Sequence, residues 1–125
     1  MNILIVDDSR ITRSIIKKTL KIAQVPTAEL YEAAHGGEAI DMLHEHWIDL
    51  VFADINMPVM NGIEMVEKMN DDAMLKNIDV VIVSTEGSTT RIEQFMSKGV
   101  RGYIQKPFAP EQIKKIVDDI MEGEK

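Results

Sequence analysis

The sequence has 125 residues, no cysteine, 45% hydrophobic residues and a formal net charge of −7 at pH 7. This length and composition predict one globular domain with a single core, and they exclude disordered and fibrous classes. The acidic balance argues against direct binding of nucleic acid, because clustered Lys and Arg dominate that interaction, and the lack of cysteine excludes disulfides and thiol catalysis.

The N-terminal segment predicts a strand followed by a helix. Ile3–Val6 is continuously apolar, as is typical of a strand that helices cover on both faces of a sheet. Three isoleucines at helical spacing predict the apolar face of a first helix that ends near Pro26: Ile11, Ile15 and Ile22.

A second strand and helix follow, and then a third strand. Glu29–Ala33 mixes charged and apolar residues, which predicts an exposed strand at the edge of the sheet. Ile40, Leu43 and Trp47 predict a second helix. Leu50–Ala53 is continuously apolar again and predicts a second central strand.

The second half of the chain predicts two more strands and two further helices before the last one. Val80–Val83 is a continuous apolar run, which predicts a third central strand. Val100–Ile104 contains Arg and Gly and is expected at the other edge of the sheet. Helices are expected near residues 62–70 and 88–98, the first after a turn at Asn61-Gly62 in which Gly adopts a special φ angle.

The last predicted helix has the clearest pattern. Its apolar residues recur at i, i+3, i+4, i+7 and i+8 and form one stripe: Ile113, Ile116, Val117, Ile120 and Met121. Residues 122–125 are expected to form a frayed tail.

Five strands that alternate with five helices predict one α/β domain over residues 1–125, built on a doubly wound parallel sheet. In such a sheet the residues that directly follow the strands collect at one edge, which is the edge where open α/β sheets bind ligands. Six polar residues take these places: Asp7 and Asp8 after the first strand, Asp54 after the third, Ser84 and Thr85 after the fourth, and Lys106 after the fifth.

Three carboxylates, hydroxyl groups and a lysine are therefore expected in one cleft. Neighbouring strands lie about 4.8 Å apart, so that carboxylates after two adjacent strands can share a cation. Oxygen ligands without His or Cys favour Mg²⁺, which keeps several of its waters. The metal ion and the ammonium group of Lys106 would offset the repulsion among the three acids.

These residues resemble the receiver domains of two-component response regulators. The resemblance covers essentially the whole chain and rests on four motifs in their order and spacing: Asp7-Asp8, the segment from Asp54 to Gly62, Ser84, and Lys106-Pro107. It implies the flavodoxin-like (βα)5 fold with strand order 2-1-3-4-5. We expect no output domain, and the chain then looks most similar to free-standing receivers of the chemotaxis type.

The resemblance implies a phosphoacceptor site with a metal ion. Asp54 would accept a phosphoryl group from a phosphohistidine of a sensor histidine kinase, forming an acyl phosphate. Asp8 and Asp54 would hold Mg²⁺, and Asp7 would hold it directly or through water. The main-chain carbonyl of Asn56 would supply a further ligand.

The resemblance also implies contacts to the phosphoryl group and a switch. Lys106 would pair with one phosphoryl oxygen and Ser84 would donate its hydroxyl to another, and the Lys106–Pro107 bond would be cis. Ser84 would move toward the phosphoryl group while Tyr103 turns inward. The fourth helix, the fifth strand and the fifth helix would form the surface that binds partners.

Three positions are expected to tune the lifetime of the acyl phosphate. The resemblance implies this role for Asn56, two residues after the acceptor, and for Glu86, two residues after the hydroxyl. Thr85 is larger than the residue common at its place and would narrow access to Asp54.

The implied function is that of a phosphoacceptor signalling protein, and not of an enzyme beyond its self-catalysed phosphotransfer and hydrolysis. A sensor histidine kinase is the expected partner, and a flagellar motor switch protein or a phosphatase is a further one. We expect a cytoplasmic monomer without membrane insertion, because no apolar run approaches about 20 residues and no basic leader precedes the first strand.

Other functions are weaker alternatives. A single-domain phosphorelay intermediate, a receiver outside motility and an interaction module independent of phosphorylation all remain open. A haloacid dehalogenase would need a second Asp two residues after the nucleophile, where this sequence has Asn56. A flavodoxin-like cofactor carrier would need a phosphate-binding loop after the first strand, where two carboxylates would repel a phosphate.

Overall fold

A computed structural model describes residues 1–123, and these form five strands that alternate with five helices. The strands are β1 (Asn2–Val6), β2 (Glu29–Ala33), β3 (Leu50–Ala53), β4 (Asp79–Ser84) and β5 (Gly102–Gln105). The helices are α1 (Arg10–Ile22), α2 (Gly36–Glu45), α3 (Gly62–Asn70), α4 (Thr89–Ser97) and α5 (Pro110–Gly123). Each predicted element is thus present, with small shifts at its ends.

All five strands lie in one parallel sheet in the order β2-β1-β3-β4-β5. This confirms the doubly wound, flavodoxin-like order, with β2 and β5 at the edges. The chain extends the sheet in both directions from β1, because β2 lies on one side of β1 and β3 lies on the other. The loops that follow β1 and β3 are therefore neighbours at the place where open α/β sheets bind ligands.

The core lies in two layers, one on each face of the sheet. Successive side chains of a strand point to opposite faces, so Leu4 and Val51 pack under α2, α3 and α4, whereas Ile3 and Phe52 pack against α1 and α5. The central strands bury apolar side chains on both faces of the sheet, which explains why they are continuous hydrophobic runs.

The buried face of α1 differs from the prediction. Ile11, Ile15 and Ile22 are 75%, 51% and 68% exposed, and Ile16 and Leu20 make the core contacts instead. Both sets have helical spacing, and one residue separates them, which is a rotation of about 100° around the helix. Because residues 15 and 16 are both apolar, the periodicity alone did not decide which face of α1 is buried.

No helix among residues 1–123 combines the length and the apolar character that a membrane crossing requires.

The ends of two helices also depart from the prediction. α2 ends at Glu45, because His46 is already extended, so Trp47 lies beyond the helix and is 82% exposed. Trp47 lines a cavity of about 460 Å³ at the C-terminal end of α2. α5 continues through Gly123, so the first half of the expected tail is helical, and residues 124–125 lie outside the described part of the chain. Met121 is 38% exposed rather than part of the buried stripe.

The start of α3 packs tightly on the loop after β3. Asn61 and Glu64 form a capping box, in which each side chain accepts a hydrogen bond from the other residue's main chain. Gly62 donates its N–H to the main-chain oxygen of Ile55 at 2.8 Å. A Cβ at Gly62 would overlap the main-chain oxygen of Asp54. Glycine is required here for this close approach and not for a positive φ, so the expected reason was wrong.

Replacing Gly62 with Ala should destabilise the protein by about 1–3 kcal/mol, because the backbone of Asp54 must move to admit the methyl group. Urea denaturation measures this free energy of unfolding. Gly87→Ala is the matched control, since its added methyl would meet only the exposed side chain of Gln105, and it should stay within about 0.5 kcal/mol of the parent. Equal losses in both variants would contradict the steric explanation.

Candidate functional site

Three acidic side chains meet at the switch point of the sheet. Asp7 and Asp8 follow β1 and Asp54 follows β3, and these strands are paired in register up to Val6 and Ala53. One carboxylate oxygen from each acid lies within 4.8 Å of the others. The expected convergence of the three carboxylates is therefore present, and these hard oxygen donors suit a divalent cation such as Mg²⁺.

The three acids differ in exposure. Asp7 is 1% exposed, Asp54 is half-buried, and Asp8 faces solvent. A buried carboxylate is costly without a compensating charge. The site therefore needs a cation, which Lys106 supplies in this structure.

Lys106 reaches the acids from the end of β5, across the intervening end of β4. Its Nζ lies 2.9 Å from Oδ2 of Asp7 and 3.6 Å from Oδ2 of Asp54. The peptide bond between Lys106 and Pro107 is cis, as expected. The predicted role of this ammonium group in offsetting the charge of the acids agrees with these ion pairs, and its contact to a phosphoryl oxygen stays a prediction.

The ionisation of Asp54 reflects these neighbours. Burial raises the pKa of the Asp54 carboxyl above its ordinary value, and the charge of Lys106 and the hydrogen bond from the N–H of Ile55 lower it only in part. That N–H lies 2.8 Å from Oδ1. The negative charge of Asp7 adds to the increase, and the hydroxyl of Ser84 opposes it.

Ser84 is the last residue of β4 and is completely buried. Its hydroxyl oxygen accepts a hydrogen bond of 3.3 Å from the N–H of Glu86. Its main-chain oxygen accepts a hydrogen bond of 2.8 Å from the N–H of Lys106. Ser84 thus joins the acid cluster to the loop between β4 and α4.

Tyr103 fastens the same loop from β5. Its ring is partly buried, and its hydroxyl donates a hydrogen bond to the main-chain oxygen of Glu86. Burial raises the pKa of this hydroxyl above its ordinary value.

Asn56 and Thr85, which flank the cluster, are both exposed. All the predicted site residues therefore lie at the same end of the sheet.

Two residues that the sequence patterns did not single out support the loop after β1, which carries Asp7 and Asp8. Arg13 of α1 donates a hydrogen bond to the main-chain oxygen of Asp7, and Glu32 of β2 accepts one from Arg13. Glu32 was interpreted only as a charge on an edge strand. The parallel register, which pairs Ile5 with Glu32, places Glu32 near the end of β1, and the sequence pattern carried no signal for this register.

The family model of the response regulator receiver domain matches residues 3–118. The chain belongs to this family, and it is therefore a receiver domain of two-component signalling.

Its relatives include chemotaxis proteins. The CheY homologue of Campylobacter jejuni strain 81-176 is 36% identical over 122 residues, which are 97% of this chain and 92% of that protein. CheY1 of Helicobacter pylori strain 26695 is 35% identical, with 97% of each chain covered. The structure of CheY4 from Vibrio cholerae superposes with a TM-score of 0.83 at 31% identity, covering 95% of this chain and 97% of that one.

A fourth protein is similar in structure. CheY of Borrelia burgdorferi, in a complex described as CheX-CheY-BeF3-Mg, gives a TM-score of 0.86 at 28% identity, with 97% of this chain and 89% of that chain covered. These comparisons confirm the resemblance and the fold that the sequence implied.

Replacing Asp54 with Asn should stabilise the metal-free protein at neutral pH. Since the folded-state pKa of Asp54 is raised, the folded protein holds this proton more tightly than the unfolded chain does, and the wild type loses stability as pH rises through that pKa. The Asp54→Asn variant has no such loss of stability, because the asparagine side chain does not ionise. The difference between the two proteins should vanish below the ordinary Asp pKa of about 3.9.

Chemical denaturation in chelator, from pH 3 to pH 8, tests this dependence. Asp41→Asn is the control, because Asp41 is exposed on α2 away from the cluster. A gain for Asp54→Asn that is independent of pH, or a gain of the same size for Asp41→Asn, would refute the electrostatic origin.

Proposed function

We propose that this receiver domain is a Mg²⁺-dependent phosphoacceptor, in which Asp54 takes a phosphoryl group from a sensor histidine kinase. The observation that carries the proposal is the convergence of three carboxylates within 4.8 Å beside the ammonium group of Lys106. Such a cluster is costly to a folded protein unless it serves a charged ligand, and a phosphoryl group with a divalent cation matches its charges.

The transfer exchanges one bond to phosphorus for another. A carboxylate oxygen of Asp54 bonds to phosphorus while the bond from phosphorus to the histidine nitrogen of the kinase breaks, and that nitrogen keeps the electron pair. The carboxylate needs no general base, because it is already ionised at the moment of attack. The task of the protein is then to align the groups and to neutralise the oxygens of the phosphoryl group.

Four residues would hold the metal ion: Asp7, Asp8, Asp54 and Asn56, the last through its main-chain carbonyl. All four offer oxygen, which is the donor that Mg²⁺ prefers. The ion, when bound, supplies positive charge to the transferring phosphoryl group. The exposure of Asp8 and Asn56 leaves the site open to solvent and to a partner.

Two side chains would contact the phosphoryl oxygens. Lys106 acts as a point charge, which needs no fixed geometry to pair with an oxygen. The hydroxyl of Ser84 accepts from Glu86, so its own proton is available to donate. Asn56, Glu86 and Thr85 lie at the rim, where they would govern the access of water and hence the lifetime of the acyl phosphate.

The output would pass through the loop between β4 and α4. Ser84 would move toward the phosphoryl group in order to donate its proton, and this movement would strain the hydrogen bond that its hydroxyl accepts from Glu86, whose main chain also holds Tyr103. A change in the hydrogen bonds that Ser84 and Tyr103 make to Glu86 would then favour a new arrangement of the surface formed by α4, β5 and α5. The phosphorylated protein must favour that arrangement by differential contacts, because equal contacts would shift no population.

We assign the protein to chemotaxis, on the names of its relatives from Campylobacter, Helicobacter and Vibrio. The kinase would be its phosphoryl donor, and a motor switch protein or a phosphatase would bind its output surface. The Borrelia relative, crystallised with CheX, supports a second protein partner.

Acetyl phosphate and Mg²⁺ should convert the protein to a base-labile phosphoryl adduct that intact-mass spectrometry detects. Asp54→Asn should abolish the adduct, and a chelator should do the same with the wild type. Asp41→Asn is the matched control and should be labelled normally. A label that persists in Asp54→Asn would disprove the assignment of the acceptor.

Replacing Lys106 with Met should raise Mg²⁺ affinity by roughly three- to tenfold, because the ammonium group competes with the metal for the charges of Asp7 and Asp54. Isothermal titration calorimetry measures this affinity. Lys114→Met is the control, since Lys114 pairs with Asp118 on α5, and the Mg²⁺ affinity of this variant should be unchanged. Loss of Mg²⁺ binding in Lys106→Met would contradict the competition.

A further inference from the structure

The peptide group that links Asp7 to Asp8 is held by a side chain from α1. The N–H of Asp7 donates to the main-chain oxygen of Ala33 at 3.0 Å, which continues the pairing of β1 with β2. Its carbonyl oxygen, on the other side of the residue, accepts a hydrogen bond of 2.6 Å from Nη1 of Arg13. The backbone that carries two of the three acids is therefore fixed from both sides.

Arg13 is itself held in place. Its Nε donates to Oε1 of Glu32 at 3.0 Å, and the other carboxylate oxygen of Glu32 accepts from Nζ of Lys17 at 3.0 Å. The Arg13 side chain is 15% exposed. A planar guanidinium can bind two groups in a fixed relative orientation, which an ammonium cannot do.

The state of Glu32 agrees with this contact. Burial acts to raise the pKa of the Glu32 carboxyl, but the hydrogen bonds and charges of Lys17 and Arg13 outweigh it and hold that pKa below its ordinary value. Glu32 is therefore ionised at neutral pH. The guanidinium thus keeps its charged partner under the conditions in which the site would bind a metal ion.

We propose that Arg13 is a positioning residue of the metal site, which orients the Asp7–Asp8 peptide so that both carboxylates face Asp54, and that Glu32 orients Arg13 in turn. The inference rests on the proposed function, since it assigns Arg13 a part in Mg²⁺ binding. Residues that orient metal ligands through one further contact commonly change metal affinity by about 10- to 100-fold when they are removed.

The sign of the effect separates this role from a plain charge effect. A positive charge near a cation site repels the cation, so removal of Arg13 would strengthen Mg²⁺ binding if charge alone mattered. A positioning role requires the opposite result. Lys17 offers the matched control, because it lies on the same helix and pairs with the same carboxylate but makes no hydrogen bond to the loop after β1.

Calorimetric titration with Mg²⁺ of the full chain and its variants tests the proposal. Arg13→Met should weaken binding by about 10- to 100-fold, and Lys17→Met should bind as tightly as the wild type or more tightly. Glu32→Gln should give a smaller loss than Arg13→Met. The double variant Arg13→Met/Glu32→Gln should be no weaker than Arg13→Met, because Glu32 acts through Arg13.

Acyl phosphate formation from acetyl phosphate gives a second readout. In Arg13→Met the Mg²⁺ concentration for half-maximal rate should rise, while the rate at saturating Mg²⁺ should approach that of the wild type, because the acceptor Asp54 is untouched. A merely structural defect would lower the saturated rate as well. Circular dichroism at saturating Mg²⁺ verifies the fold of each variant.

Arg13→Lys keeps the test valid if Arg13→Met fails to fold. This substitution preserves the positive charge but not the planar guanidinium that binds two groups, and it should also weaken Mg²⁺ binding. Unchanged or tighter binding in the folded Arg13 variants, or an equal loss in Lys17→Met, would overturn the positioning role and leave the proposed function standing. A wild-type protein that binds no Mg²⁺ would overturn both.

Discussion

The repulsion among three carboxylates is the constraint on which the rest of the site depends. Asp7 is almost fully buried, and its nearest compensating charge comes from Lys106, which is 99 residues further along the chain. That pairing can form only when β1 and β5 both lie in the finished sheet, with β3 and β4 between them. The site is therefore a property of the assembled fold, and its charges oppose folding until Lys106 or a metal ion offsets them.

Main-chain contacts give one side of the cluster a rigid support. The N–H of Asp54 donates to the oxygen of Val6 at 2.9 Å, and the start of α3 packs on its carbonyl group through Gly62. Arg13 holds the neighbouring loop in the same way. The side toward α4 lacks this support, because single hydrogen bonds of Ser84 and Tyr103 hold an otherwise exposed loop. Firmly held carboxylates on one side and a loosely held loop on the other would suit a site that binds a charged group and then signals.

The sequence predicted the order and type of every element because three short apolar runs and two mixed segments alternated with helical periods, and the convergence of the acids then followed from the geometry of a parallel sheet. It could not predict which isoleucines of α1 are buried, since Ile15 and Ile16 satisfy the period equally well. It gave no reason to select Arg13, because a hydrogen bond to a main-chain oxygen leaves no pattern in the sequence. The sequence likewise showed a glycine at position 62 but not the close approach of the Asp54 main chain that requires it.

Lys106 links the metal site to the output under the proposed function. In this structure its ammonium group is engaged with Asp7, and the hydrogen bond from its N–H to Ser84 ties its backbone to β4. A divalent cation among the carboxylates takes over their neutralisation and lowers the advantage that Lys106 gains from Asp7. The ammonium group would then be available to a phosphoryl oxygen on Asp54. One lysine would then couple binding of the metal to the response of the loop, because the same charge would serve the acids before transfer and the phosphoryl group after it.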